Sequence, residues 1–199
     1  MEKQLIISIG REFGSGGHEI AEKLAERFSL ELYDKNLLQR VAEEKNVDAK
    51  DFEKYDEVPR NLLFSRTVKG LSNSMEENIA NMQFDFLRKK AESGESFVVV
   101  GRCAETILRE YPGFISIFIL GDKQNKIERV KRIYGMTAEE AEFYIYRQDR
   151  KRKDYHNYYC KGKWGDSRNY DISVNSSKLG EEITTDILAE YIIKRQNQK

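Results

Sequence analysis

The chain has 199 residues and a mass of 23.3 kDa, a length that predicts one domain. Lys plus Arg and Asp plus Glu each number 34, so the formal net charge is zero, which argues against a dedicated nucleic-acid coat. Hydrophobic residues make up 39% of the chain, enough for one sizeable core, while its longest apolar runs fall far short of the roughly 20 residues that a membrane helix needs.

In chain order, residues 5–9 form a short, β-branched run suited to a central parallel strand buried on both faces. Four glycines fall between Gly10 and Gly17, and the helix that follows carries Ile20, Leu24 and Phe28 on one face. Residues 30–33 read as a second strand ending at Asp34, which is placed to cap a helix holding Leu37, Leu38 and Val41. Residues 46–60 are polar and weakly patterned. Residues 61–91 are mostly helix-compatible, with Gly70 and residues 72–74 as breaks. Residues 97–100 predict another buried strand, ending at Gly101-Arg102, and residues 115–120 a further one. Residues 122–134 predict a basic helix. Thr137 with Glu140 forms a capping box for the next helix, whose later part holds Arg147, Arg150, Lys151, Arg152 and Lys153. Residues 162–169 read as a loop, 171–174 as the last strand and 179–193 as a C-terminal helix. Strands separated by helices predict a doubly wound parallel α/β sheet, with ligands at the carboxyl ends of its strands.

The most informative stretch is Gly10-Arg-Glu-Phe-Gly-Ser-Gly-Gly17, between the first strand and the first helix. Glycines there let backbone N–H groups approach an anion, and the helix N-terminus adds partial positive charge. The dinucleotide fingerprint G-x-G-x-x-G does not fit, because residue 19 is Glu. The spacing instead resembles a P-loop in which Gly17 occupies the lysine position and His18 the Ser/Thr position. The competing reading is a glycine-rich turn that binds nothing. Arg40 reads either as a ligand or as a solvated helix residue, whereas Arg102 follows a buried strand at the edge where ligands bind. The cations at 147–153 form either a solvated face or, since like charges so close repel, a surface for an anionic partner. His18 falls near a helix N-terminus, and His156 is expected on the surface. Neither histidine has metal-ligand spacing, nor have Cys103 and Cys160, so no metal ligand is assigned and reduced thiols of a cytoplasmic protein are expected. No signal-peptide pattern precedes the first strand.

Together these segments resemble the P-loop nucleoside monophosphate kinases, and most closely the cytidylate kinase-like family, over nearly the whole chain. The family carries Arg-Glu-Phe-Gly-Ser-Gly-Gly where other P-loop proteins carry the standard loop, as residues 11–17 do. The resemblance implies a three-layer, five-stranded parallel sheet in a single domain spanning 1–199, with a helical monophosphate-binding region over about 35–92 and a basic helical lid over about 135–165. It implies donor-phosphate binding by Gly14, Ser15, Gly16, Gly17 and His18, with Asn175 and Ser176 on the adenine side. Asp34 with Arg40, Gly101-Arg102, and Asp149-Arg-Lys-Arg152 are similar to the segments that bind the acceptor, which assigns Asp34, Arg40, Arg102, Asp149 and Arg152 to it. Catalytic charge neutralisation falls to Arg11, Arg147, Arg150 and Arg152. Arg147 stands in for a lid arginine expected at position 145, and Arg11 or a lid arginine for the absent lysine. Trp164-Gly-Asp166 and Tyr170-Asp171 are also typical of this branch. ATP and Mg2+ are the implied cofactors, the ion held by nucleotide oxygens, waters and Glu12 or Asp34. The expected activity is transfer of the ATP γ-phosphate to cytidylate or a similar nucleoside monophosphate or small acceptor. The alternative is a non-catalytic nucleotide-binding or sensing protein. A nucleic-acid-binding module built on residues 147–153 is the third class, opposed by the zero net charge. Expected partners are nucleotides and phosphate-bearing small molecules, with no nucleic acid, no membrane, and a monomer or homodimer.

Overall fold

A computed structural model of the chain describes residues 3–45, 48, 55–58, 67–68, 71–72 and 74–198. In chain order its elements are β1 (Ile6–Arg11), α1 (Gly17–Arg27), β2 (Glu31–Tyr33), α2 (Leu37–Lys45), β3 (Thr67–Val68), β4 (Leu71–Ser72), α3 (Met75–Glu92), β5 (Phe97–Val100), α4 (Ala104–Ile107), β6 (Phe114–Leu120), α5 (Lys123–Tyr134), α6 (Ala138–Tyr159), β7 (Ile172–Asn175) and α7 (Gly180–Asn197). Short 3-10 turns cover Ser167–Asn169 and Ser176–Lys178.

Five strands form one parallel sheet in the order β2-β5-β1-β6-β7. The central strand β1 sets Ile9 beside Val100 of β5 on one side and Ile117 of β6 on the other. Helices cover both faces, so β1, β5 and nearly all of β6 are buried along their length, and their sequences are continuous rather than alternating apolar runs. On one face Ile7, Ile9 and Val98 pack against Ile20 and Leu24 of α1 and Leu188 and Ile192 of α7. On the other, Ile6, Phe97 and Val99 pack against Leu37 of α2, Phe86 and Leu87 of α3 and Leu108 after α4. The doubly wound five-stranded sheet expected from the sequence is thus present, with helices on both sides. Among the described residues, no helix is long and apolar enough to cross a membrane.

Local differences have identifiable causes. Strand β1 runs on to Arg11, because Arg11 still pairs with Ile119 of the longer neighbour β6. Asp34 does not cap α2 with its carboxylate. That helix starts at Leu37, and the Asp34 side chain turns back to His18 and Arg11. Within 61–91, the pairs 67–68 and 71–72 form a small antiparallel hairpin, and the helix begins only at Met75, where the Ser74 hydroxyl accepts from the Glu77 N–H. Most of 46–66 lies outside the described residues. The capping box at Thr137 and Glu140 forms as the sequence predicts.

The packing has a direct consequence. Ile117, fully buried in β6, is expected to cost about 2–5 kcal/mol on substitution by alanine. Urea unfolding of wild type and Ile117→Ala measures this, and a loss under about 1 kcal/mol would contradict close packing on that face.

Candidate functional site

The chain leaves β1 at Arg11 and turns through Glu12–Gly16 into α1. Gly14 and Gly16 have φ of 79° and 78°, a left-handed backbone that disfavours any Cβ. Space is short as well: a Cβ on Gly16 would lie 2.9 Å from Glu181 Cγ, and one on Gly17 would lie 2.6 Å from Arg11 Cβ. Gly16, the N-cap of α1, supplies no side-chain cap, so among the described residues the orphan N–H groups of the first turn are open to a ligand.

The loop is braced from outside. The Phe13 N–H donates to Asp149 Oδ1 at 2.6 Å. Lys126 Nζ lies 2.9 Å from Glu12 Oε2 and 3.4 Å from Asp149 Oδ2, and the Gly121 N–H donates to the same Glu12 oxygen at 3.1 Å. The Ser176 hydroxyl donates to the Ser15 carbonyl. Burial pushes the Asp149 carboxyl above its usual range, against the pull of the Phe13 N–H and Lys126. Asp149, expected at the acceptor, is therefore placed under the loop with both its oxygens engaged.

Beside the loop runs a groove. A cavity of about 520 Å³ opens between Gly14, Ser15, Arg129, Arg132, Ser176 and Glu181. It shares Gly14 and Arg129 with a second of about 160 Å³, lined also by Arg11, His18, Asp34 and Arg152. Arg129 itself is paired to Glu19 at 2.6 Å and to Glu181. The Asn175 side chain donates to Asp122 at the rim, next to Ser176.

Three arginines from three elements meet at the end of the groove: Arg11 from β1, Arg102 after β5 and Arg152 from α6, all lining a further small cavity. Gly101, Arg102 and Cys103 are left-handed in succession, with φ of 73°, 58° and 55°. The turn is strained for its two non-glycine residues and drives the Arg102 side chain inward to 2% exposure. Its guanidinium lies 2.8 Å from Asp56 and 2.5 Å from Glu57, while its Nε has no partner among the described residues. Arg11 reaches Glu57 at 3.5 Å and Asp34 at 3.7 Å. Arg152 lies 5.3 Å over the Phe13 ring and donates to the Arg11 carbonyl. Burial would raise the Glu57 carboxyl, but Arg102 and then Arg11 override it and hold it at about 2. Burial, then the like charge of Arg11, pull Arg152 down to about 10. At the loop, His18 Nδ1 lies 2.7 Å from Asp34 Oδ2, and this hydrogen bond raises His18 against its burial. Burial opposes ionisation of Asp34, and His18 and Arg11 overcome it.

Of the residues singled out from sequence, the structure gathers Arg11, Gly14, Ser15, Gly16, Gly17, His18, Asp34, Arg102, Asp149 and Arg152, with Ser176 and Asn175 at the rim. Arg40, Arg147 and Arg150 are not brought in. Arg40 pairs with Glu31 on an exposed edge at 2.8 Å. Arg147 stands over the exposed Phe143 ring and Arg150 faces Asp154. The helical period explains the split: Ile145, Arg152 and His156 share the inward face of α6, and 147 and 150 fall opposite. His156 is consequently buried at 5% exposure and not on the surface. Sequence reading missed Lys126 and Arg129, two cations one turn apart on α5, and Asp56 and Glu57, which sit in a stretch without periodicity.

The profile described as cytidylate kinase-like family matches residues 6–178. The crystal structure of an uncharacterized protein from Eubacterium ventriosum is 43% identical, with a TM-score of 0.77 over 96% of this chain and 99% of that one. Shikimate kinase from Bacteroides thetaiotaomicron, at 12% identity, matches 95% of this chain and 98% of its own with a TM-score of 0.56. Shikimate kinase from Acinetobacter baumannii, also at 12%, matches 98% and 96% with a TM-score of 0.55. These two share the fold. No protein with a curated description matches the chain.

The His18–Asp34 contact makes a checkable statement about pH. His18 is raised above its ordinary 6.5 in the folded protein, so the pairing stabilises the fold fully below about pH 6.5 and is lost as pH rises through the folded-state value. An NMR titration is expected to place His18 above 6.5 in wild type and closer to it in Asp34→Asn. A wild-type His18 titrating at or below 6.5 would contradict the contact.

Proposed function

The chain belongs to the cytidylate kinase-like family, and on that premise we propose that it transfers the γ-phosphate of ATP to a small acceptor carrying its own phosphate, with cytidylate the first candidate. Family membership supports a nucleotide-binding phosphotransferase in general. The observation that carries the finer reading is the convergence of Arg11, Arg102 and Arg152 beside a glycine loop whose first-turn amides are uncapped.

Phosphoryl transfer needs positioning and charge neutralisation more than covalent help from the protein. The donor phosphates lie over the amides of Gly14–His18, and the nucleoside extends past Arg129 toward Asn175 and Ser176. The acceptor phosphate takes the position now held by the Glu57 carboxylate, between Arg102 and Arg11, where guanidinium geometry suits an oxyanion. Arg152, already partly desolvated on α6, neutralises charge on the transferring group, with α6 acting as the lid. Magnesium, when bound, supplies further neutralisation of the phosphates. Glu12 is committed to Lys126 and the Gly121 amide, and Asp34, which lines the groove, to His18 and Arg11, so Asp34 would hold the ion only by giving up its His18 contact. Asp149 fixes the loop and does not select the base, since Phe13 and Lys126 use its oxygens.

One observation favours a second reading, a nucleotide-binding protein without turnover. Lys126 is held between two carboxylates and Arg11 lies against two others, so neither is free to replace the lysine whose position Gly17 occupies. A steady-state screen of nucleoside monophosphates with ATP and magnesium separates the two. Turnover with at least one acceptor is expected, and tight binding without turnover would establish the second reading. With the best acceptor, Arg102→Ala is expected to lower kcat/KM by about 10²–10³-fold.

A second variant probes the clamp itself. Glu57→Gln removes an anion that competes for Arg102 and Arg11, so monophosphate affinity measured by calorimetry is expected to tighten by about tenfold, roughly 1.4 kcal/mol. Weaker binding in Glu57→Gln would contradict the idea that the carboxylate occupies the acceptor's place.

A further inference from the structure

Behind Arg102 lies a side-chain cluster that the proposed reaction does not use. Glu105 of α4, His156 of α6 and Cys160 at the end of α6 bring a carboxylate oxygen, an imidazole nitrogen and a sulfur within 4.8 Å of one another, and all three residues are buried. His156 Nε2 is 2.6 Å from Glu105 Oε1, and Cys160 Sγ is 3.7 Å from the same oxygen. Cys103 lines one small cavity with Glu105 and His156. Both cysteines are free and buried. Glu105 is too far from His156 and Cys160 in sequence to show any ligand spacing.

The imidazole is already oriented by a partner outside the cluster. Asn157 Oδ1 accepts from the Trp164 N–H at 2.9 Å and lies 3.3 Å from His156 Nδ1. An amide oxygen only accepts, so Nδ1 carries the hydrogen and Nε2 is the nitrogen turned into the cluster. A ring whose second nitrogen is held this way is the usual arrangement of a metal-bound histidine. One sulfur, one imidazole nitrogen and one carboxylate oxygen make a borderline-soft donor set, and three such donors with a water suit tetrahedral Zn2+ better than the octahedral, oxygen-seeking Mg2+.

We propose that Glu105, His156 and Cys160 bind one Zn2+, which fastens the C-terminal end of α6 to α4, directly after the turn that carries Arg102. Metal–ligand bonds of about 2.0–2.3 Å in a tetrahedron set neighbouring donors roughly 3.3–3.8 Å apart, so His156 and Glu105 separate by under an ångström or so to admit the ion. On binding, the Cys160 thiol and the His156 imidazolium each give up a proton to solvent, the latter from Nε2, so that the sulfur binds as thiolate and Nε2 through its lone pair. The ion would have three of its positions filled by protein and the fourth by a water. Its effect on phosphoryl transfer would be to hold Arg102 and the inward face of α6 in register.

The full chain, stripped with a chelator and desalted, is titrated with Zn2+ against a chromophoric competitor and separately with Co2+. About one equivalent of tightly held Zn2+ is expected. Co2+ is expected to give the near-ultraviolet thiolate charge-transfer band and the strong visible bands of a tetrahedral ion. Cys160→Ser and His156→Gln, checked for folding by circular dichroism, are expected to lose the charge-transfer band and weaken Zn2+ binding by more than about tenfold. A wild-type protein that shows no charge-transfer band at stoichiometric Co2+ overturns the proposal, and leaves the cluster as a buried imidazolium–carboxylate pair beside two thiols. A band that persists in both variants overturns it too, because the metal then sits elsewhere. If a variant does not fold, the wild-type cobalt spectrum decides alone.

Discussion

Burying positive charge at the end of the sheet is the constraint on which the rest of this structure depends. A guanidinium taken out of water is costly unless it meets a counter-charge. Arg102 is 2% exposed and Arg11 is 8% exposed, with Arg152 close behind. Their solvation comes from Asp34, directly after β2, and from the adjacent Asp56 and Glu57. The arrangement is stable without ligand only while those carboxylates stay in place. It is also the arrangement that an incoming phosphate can take over, because a dianion offers the same guanidinium groups at least as much charge.

A similar logic accounts for the glycine loop. A lysine in the loop would itself supply positive charge for donor phosphates, and Gly17 supplies none. The local cation is instead Lys126 from α5, and it is spent inside the protein, bridging Glu12 and Asp149. That bridge ties the loop to α5 and α6 together, with Asp149 also holding the Phe13 amide. Movement of α6 is therefore mechanically linked to the position of the loop. In the proposed reaction, charge for the donor comes from backbone amides and from Arg152, since Arg129, at the shared wall of the two cavities, is itself paired to Glu19 and Glu181.

Much of the architecture was legible because the sheet is parallel and covered on both sides. Its strands appear in the sequence as unbroken Ile, Val and Phe runs, and residues 97–100 are bounded correctly for that reason. The glycine loop was legible because left-handed backbone at Gly14 and Gly16 demands glycine. Arg102 was legible from its place after a buried strand. What could not be read was anything fixed by tertiary pairing. Asp34 looked like a helix cap, since nothing local shows that His18 and Arg11 will claim its carboxylate. The cation run on α6 looked uniform, although its period sends Arg152 inward and Arg147 and Arg150 outward. His156 looked like a surface residue because Glu105 lies 51 positions away. Glu57 carried no signal at all, since its stretch lacks any period.

The central claim is the proposal that Arg11 and Arg102 wait for the acceptor's phosphate with Glu57 in its place. A crystal structure of the protein with a non-hydrolysable ATP analogue, magnesium and cytidylate tests it most directly. The account predicts the monophosphate between Arg11 and Arg102, the Glu57 carboxylate displaced from both, and the donor phosphates against the amides of Gly14–His18. A ternary complex in which Glu57 still contacts Arg102 and Arg11, with the monophosphate bound elsewhere, would contradict it.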